Sequence, residues 1–143
     1  MMYIAVEPKK SISILHEQKH AVYTLKEEVD SDLYLKSVIS VLKKYKYLKV
    51  KCGMIKTENE IEMGKWFGVF LSLNWNCKII KSVEWKEFFG LYPTEPIKQY
   101  FHWSRFIKTK YPMMGVNKDN YKSILVACYL NEKEQYKKDS VFV

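Results

Sequence analysis

The chain has 143 residues, 48% hydrophobic and 15% aromatic, which excludes a disordered segment and suits one domain, residues 1–143, with a substantial core. Twenty-four basic side chains against sixteen carboxylates leave a formal net charge of +8, which favours polyanionic partners and speaks to association rather than to fold. No apolar run reaches the roughly 18 residues of a membrane span, and the amino terminus lacks the basic and apolar regions of a signal peptide. The expectation is a cytoplasmic protein with no membrane partner, or one used inside the host cell if viral.

Residues 2–6, 11–15 and 21–25 alternate or run apolar between short polar breaks, which predicts a three-stranded antiparallel meander. Glu7 closes the first strand, and a carboxylate at the end of a buried strand is held firmly enough to serve as a metal ligand. Apolar residues at Leu35, Val38, Ile39 and Leu42, behind Ser31 or Asp32 as N-cap, predict an amphipathic helix with a lysine-rich last turn. Residues 47–55 read as a fourth strand, entered from a helix and so parallel to the first. A helix over 60–74 carries Gly64 and Gly68 on one face, where another backbone has room to approach. Residues 77–83 predict a fifth strand, 83–91 a short helix and 97–110 an aromatic helix. After a loop over 111–117, residues 118–138 close the chain as an apolar helix with a charged tail.

The three cysteines, Cys52, Cys77 and Cys128, match neither a zinc spacing nor a disulfide framework and read as reduced thiols. The histidines, His16, His20 and His102, form no ligand pattern, so no zinc site is expected. Arg105 is the only arginine, which argues against readout of guanine by bidentate contacts.

Three strands, helix, strand, helix, strand and then helices is the order of a mixed α/β sheet with an antiparallel start, the layout of the ribonuclease H-like fold. Three segments narrow this further. "YIAVEPKKSISIL", "MGKWFGVFLSLNWNCKIIKSVEWKEFFGL" and "KDNYKSILVACYL" come in the order and spacing of RuvC-like Holliday junction resolvases, and the chain resembles their short phage-type members over nearly its whole length. Trp85-Lys86 with Gly90-Leu91, and Ile124 to Ala127 with Tyr129, carry the match. The resemblance implies five strands in the order 3-2-1-4-5 with Glu7 on the central one, a final helix packed across the sheet through Ile124, Leu125 and Ala127, and branched DNA as partner.

It also implies about four carboxylates around two Mg²⁺ ions, and here the chain departs from the pattern. The first-strand aspartate is Glu7, one methylene longer, and Ala5 and Lys9 stand where the family has glycines. Lys51, Cys52, Gly53 and Met54 occupy the positions from which the fourth strand supplies a glutamate. Asp119 matches one carboxylate of the last helix, or is a plain N-cap, and Lys122 stands where the second carboxylate falls. Glu58, Glu60 and Glu62 come later, either as a helix-dipole-matched acidic turn or as substitute ligands. The expectation is therefore a remnant site of Glu7 and Asp119 with Lys122 supplying positive charge, no cofactor and no cleavage. Were it active, the chain would be an endonuclease holding Mg²⁺ through Glu7 and Asp119 with Glu58 or Glu60.

Lys9, Lys10, Lys81, Lys86, Lys98, Lys108, Lys110 and Arg105 are the candidates for phosphate contacts around the cleft. Tyr100, Trp103 and Phe106 fall at helical spacing, as core, dimer face or stacking platform. A homodimer or a heteromeric complex that reuses the fold as an interaction module stays open beside DNA binding.

Overall fold

The computed structural model describes residues 1–17, 19–24 and 31–141, with backbone alone for 31–34 and 135–141. Five strands form one sheet: β1 (Met2–Glu7), β2 (Ser11–His16), β3 (Lys19–Thr24), β4 (Val50–Ile55) and β5 (Cys77–Ile80), in the order β3-β2-β1-β4-β5. The meander β1-β2-β3 is antiparallel, while β4 pairs parallel to β1 and β5 parallel to β4. Helix α1 (Ser31–Leu42) makes the crossover into β4, and α2 (Glu60–Ser72) makes the one into β5. Three more helices follow: α3 (Ser82–Phe89), α4 (Pro96–Lys110) and α5 (Tyr121–Val141). No helix among the described residues is long and apolar enough to cross a membrane.

β1 is buried along its whole length because helices cover both faces of the sheet. Its alternation divides the core. Met2, Ile4 and Val6, with Cys52 and Met54, face α1 and α2 and pack on Leu42, Trp66 and Phe70. Tyr3 and Ala5 belong to the other half, with Trp85, Trp103 and Ile107 from α3 and α4. The final helix lies across β1, β2 and β4 on this second side and buries Ile124, Leu125 and Ala127 completely. It approaches β4 closely at Gly53, where an added Cβ would lie 3.0 Å from Ile80 and 3.1 Å from Leu130.

Several boundaries differ from the sequence expectation. β4 begins at Val50 rather than near 47, because a 3-10 turn over Lys43–Tyr45 extends α1 into a tight bend. β3 runs from Lys19, and Leu25 lies outside the described residues, as do the side chains of Ser31 and Asp32. α5 starts at Tyr121, three residues after Lys118, behind a turn ordered by Asn117 and Asn120. Gly64 and Gly68 have nothing within 4 Å of an added Cβ, so no other part of the described chain uses the space they leave.

Candidate functional site

Glu7 is the last residue of the central strand and is only 8% exposed. The alternation that points Tyr3 and Ala5 toward α5 carries Glu7 to the same side. One carboxylate oxygen, Oε1, is buried with no hydrogen-bond partner, and the other lies 3.9 Å from the Lys122 ammonium. Burial raises the pKa of Glu7; Lys122 and Lys10 act against that rise, and Asp119 adds to it. Four charged groups thus meet at the end of β1, contributed by β1, the β1–β2 turn and the start of α5.

That turn is tight. Lys10 N–H donates to the Glu7 carbonyl at 3.0 Å, and Lys9 adopts φ 67°, the left-handed region that favours glycine. Lys9 is where the resemblance expects glycine, so the departure keeps the turn and accepts its strain. Gly90, at φ 103° after α3, keeps the residue its conformation requires.

The register decides what stands beside Glu7 on the fourth strand. Val6 pairs with Met54, and one step further brings Ile55 alongside Glu7. Ile55 is 5% exposed and packs in the same half of the core as Ala5. The position that could supply a second carboxylate is therefore an aliphatic residue, one place beyond the stretch 51–54 marked in the sequence.

Asp119 is exposed on the turn that precedes α5. Two asparagines order that turn. Asn117 Oδ1 accepts from the backbone N–H of Asp119 at 2.8 Å and of Asn120 at 3.0 Å, while Asn120 Oδ1 accepts from Asn117 N–H at 2.8 Å. This asparagine pair holds the chain out of helix until Tyr121, which explains the later start. Lys122 follows in the first turn of α5, where its ammonium reaches Glu7. Beside it Ser123 is fully buried and joins Ser11 at 2.7 Å and Ser13 at 3.0 Å, which locks the start of α5 onto β2. This trio is not among the contacts expected from the sequence. Its signal was available: Ser11 and Ser13 alternate with Ile12 and Ile14, so two hydroxyls face inward on a buried strand and need a partner. Tyr121, edge-on to Tyr100 at 5.4 Å between ring centroids, also borders the cleft, and Glu7 helps to raise its pKa after burial.

The structure divides the predicted phosphate contacts. Lys9 and Lys10 are exposed on the turn after Glu7. Lys86 on α3 is half-buried, donates to Gln99 Oε1 at 3.0 Å and lies 5.5 Å from the Trp85 ring centroid. Burial and then the nearby Lys122 charge lower its pKa, so Lys86 belongs to the same end of the molecule as Glu7. Lys81 instead lines a groove of about 490 Å³ with Lys56, Glu58 and Glu60. Arg105 and Lys108 border a pocket of about 350 Å³ on α4 with Phe101. Lys98 is paired with Glu95 at 3.4 Å and Lys110 with Glu132. Trp103 is fully buried against Trp85 at 5.3 Å, so this ring of the aromatic helix is core.

Octahedral Mg²⁺ takes six oxygen ligands at about 2.1 Å. Glu7 and Asp119 are the carboxylates beside Lys122; Ile55 and Lys122 supply no anionic oxygen, Glu58 and Glu60 line the groove with Lys81, and Glu62 is engaged by Lys65 at 3.3 Å. Among the described residues no three His, Cys, Asp or Glu side chains gather into a group able to hold a metal ion. A separate cavity of about 640 Å³ opens at the β3 edge beside Tyr111, Met114 and Asn120. It is lined by His20, whose two ring nitrogens are buried without partners and whose pKa burial lowers to about 4.

Solved structures with the same strand order and helix placement decide the fold. Thermus thermophilus RuvC superposes with a TM-score of 0.61 over 89% of this chain and 91% of that one, at 9% identity. The chain has the RuvC fold. A second structure, T. thermophilus RuvC in complex with Holliday junction substrate, matches with a TM-score of 0.53 over 89% of both chains at 7% identity. No protein-family model and no curated protein matches the chain. Within the RuvC fold, the segments that carry the sequence resemblance fall at β1 and its turn, along α2 to α3, and at the start of α5. Two of the three meet at Glu7.

Proposed function

We propose that the chain is a RuvC-fold DNA-binding factor without nuclease chemistry, which engages branched DNA at the Glu7 end of its sheet in replication, recombination or transcription. The observation that carries this reading is the Lys122 ammonium 3.9 Å from the Glu7 carboxylate. Two-metal hydrolysis depends on cations held by carboxylates on both sides of the reacting phosphate. Here a lysine neutralises the first-strand carboxylate, Ile55 stands beside it, exposed Asp119 is the carboxylate that acts on it, and Glu58 and Glu60 line the groove with Lys81. That donor set does not fit a pair of Mg²⁺ ions.

The same arrangement suits an anion that is held and not cut. Lys10, Lys86 and Lys122 bring three ammonium groups to an end of the sheet where Glu7 and Asp119 bring two carboxylates. Burial and then the Lys122 charge lower the pKa of Lys86, so the two ammonium groups repel each other, and a DNA phosphate near both would relieve that repulsion. Such binding rests on counterion release and weakens steeply with salt. The RuvC structure solved with Holliday junction substrate supports a branched partner.

The test is fluorescence anisotropy on a four-way junction and a duplex at two salt concentrations, with a parallel cleavage assay in Mg²⁺ and Mn²⁺. Salt-sensitive junction binding, weakened several-fold in Lys122→Ala and Lys86→Ala, with no product in either metal, is the expected result. Metal-dependent nicking by the wild-type chain that Glu7→Gln or Asp119→Asn abolishes would overturn the silent-site reading. Absence of binding at low salt would overturn the DNA-binding reading.

A further inference from the structure

The end of the sheet opposite Glu7 carries a feature that the cleft does not use. Between α1 and β4 the sequence reads "LKKYKYLKVK", residues 42–51, with five lysines and no carboxylate. Lys43, Lys44, Lys46 and Lys49 are all exposed, and none forms a salt bridge among the described residues; Lys51 pairs with Glu134. Tyr47 is 88% exposed, and the Lys46 ammonium lies 4.9 Å from its ring centroid.

The segment is well anchored. Leu42 is fully buried, Tyr45 packs on the core and meets the His16 ring edge-on, and Leu48 N–H donates to the Tyr45 carbonyl at 3.0 Å. The Lys49 carbonyl accepts from Met2 N–H at 2.9 Å, which fixes the far side of the bend to the start of β1. A helix C-terminus attracts cations, and that accounts for Lys43 and Lys44. It accounts for neither Lys46 and Lys49 nor an aromatic ring held out in water by an anchored turn.

We infer that this bend is a second nucleic-acid contact, which takes a single-stranded segment by stacking a base on Tyr47 and pairing its phosphates with Lys43, Lys46 and Lys49. Lysines beside an open ring match a polymer that offers phosphates and planar bases, whereas a duplex hides its base faces. A lipid surface is the poorer match, because the bend presents one ring and the 41% exposed Leu48 and no apolar row to insert. The site stands apart from the cleft. β1 rises about 3.3 Å per residue, so roughly 17 Å of strand separates the two ends. It does not depend on how the Glu7 end is read.

The experiment uses the full chain with a fluorescein-labelled thymidine 20-mer, a labelled four-way junction and vesicles of phosphatidylserine and phosphatidylcholine. Tyr47→Ala is expected to weaken binding of the 20-mer about tenfold, in line with loss of one stacked base, while junction affinity changes by less than about threefold. The triple change Lys43→Ala, Lys46→Ala and Lys49→Ala is expected to reduce the log–log salt slope for the 20-mer by about 2, from roughly 0.7 per lost phosphate contact. All four side chains are exposed, so thermal melts should match wild type and show that the variants fold. The proposal is overturned if the wild type ignores the 20-mer at low salt, or if Tyr47→Ala binds it unchanged. It is equally overturned if Tyr47→Ala loses both DNAs alike, or if only vesicles bind. Failure of the junction arm in the wild type bears on the cleft and leaves the 20-mer comparison intact.

Discussion

A buried carboxylate needs a reason to persist, and Glu7 has one unpartnered oxygen and one ammonium at 3.9 Å. Desolvation is the largest influence on it, so its folded-state pKa lies above the ordinary value of 4.5. The sign follows from linkage. The folded protein takes up this proton at a higher pH than the unfolded chain, so Glu7 is costless below about pH 4.5 and costs stability as pH rises through its folded pKa. Lys122 limits that cost only while Glu7 is ionised. Lys122→Ala is therefore expected to destabilise the protein by about 1–2 kcal/mol at pH 8, by leaving a buried charge without its counterion, and by clearly less at pH 4, below the ordinary value of 4.5. In a Glu7→Gln background the same change should cost little at either pH. Urea unfolding of the four proteins at both pH values gives the coupling directly. An equal cost of Lys122→Ala at pH 8 and pH 4 would mean that the pair carries no charge coupling.

At the scale of elements, three glycines that look alike in sequence separate sharply. Gly53 sits where α5 lies on β4, with Ile80 and Leu130 at 3.0 and 3.1 Å from any added Cβ. Gly64 and Gly68 stand on α2 with open space around them. Gly53→Ala is expected to lose about 1–3 kcal/mol by overpacking, while Gly64→Ala and Gly68→Ala each gain about 0.5–1 kcal/mol of helix propensity. Urea denaturation distinguishes the signs; destabilisation by Gly64→Ala in a monomeric sample would contradict the open face. Sequence patterning located the described strands and the five α-helices, because the apolar runs of β1 and α5, the Ser–Ile alternation of β2 and the 3.6-residue spacing in α1 follow from which faces are buried. It placed their ends less well, since ends depend on local polar contacts such as the Asn117–Asn120 pair that delays α5. The reach of Lys122 to Glu7 was legible from the resemblance, which puts that lysine where a ligand of the first-strand carboxylate's site falls. Ile55 was not, because the residue beside Glu7 is set by parallel register, which a strand pattern leaves undetermined.

For the whole molecule, part of the excess of eight positive charges lies at the two ends of the sheet. Ammonium groups crowd the Glu7 end through Lys10, Lys86 and Lys122, and the opposite end through the bend that bears Tyr47. A cation beside Glu7 is opposed by the Lys122 ammonium 3.9 Å away and by Lys10. Lys122→Asp removes one ammonium and adds one carboxylate, a change of two charges at the mouth of the site. It leaves Ile55 in place, so three carboxylates then face a gap where a fourth would stand. The variant is expected to bind Mn²⁺, the ion that suits carboxylate and water ligands with some tolerance of geometry. At ten times the dissociation constant the gain is about 1.4 kcal/mol, or roughly 3–5 °C in Tm for a chain of this size. Wild type should show no such shift, and the variant should still fail to resolve a junction at a useful rate, because misplaced ligands cost large factors even when the ion is present. Differential scanning calorimetry with and without Mn²⁺, beside a junction-cleavage assay, reads both outcomes. An equal Mn²⁺ shift in wild type and variant would mean that Lys122 does not oppose a cation there, and efficient resolution by Lys122→Asp would make that lysine the sole barrier to catalysis.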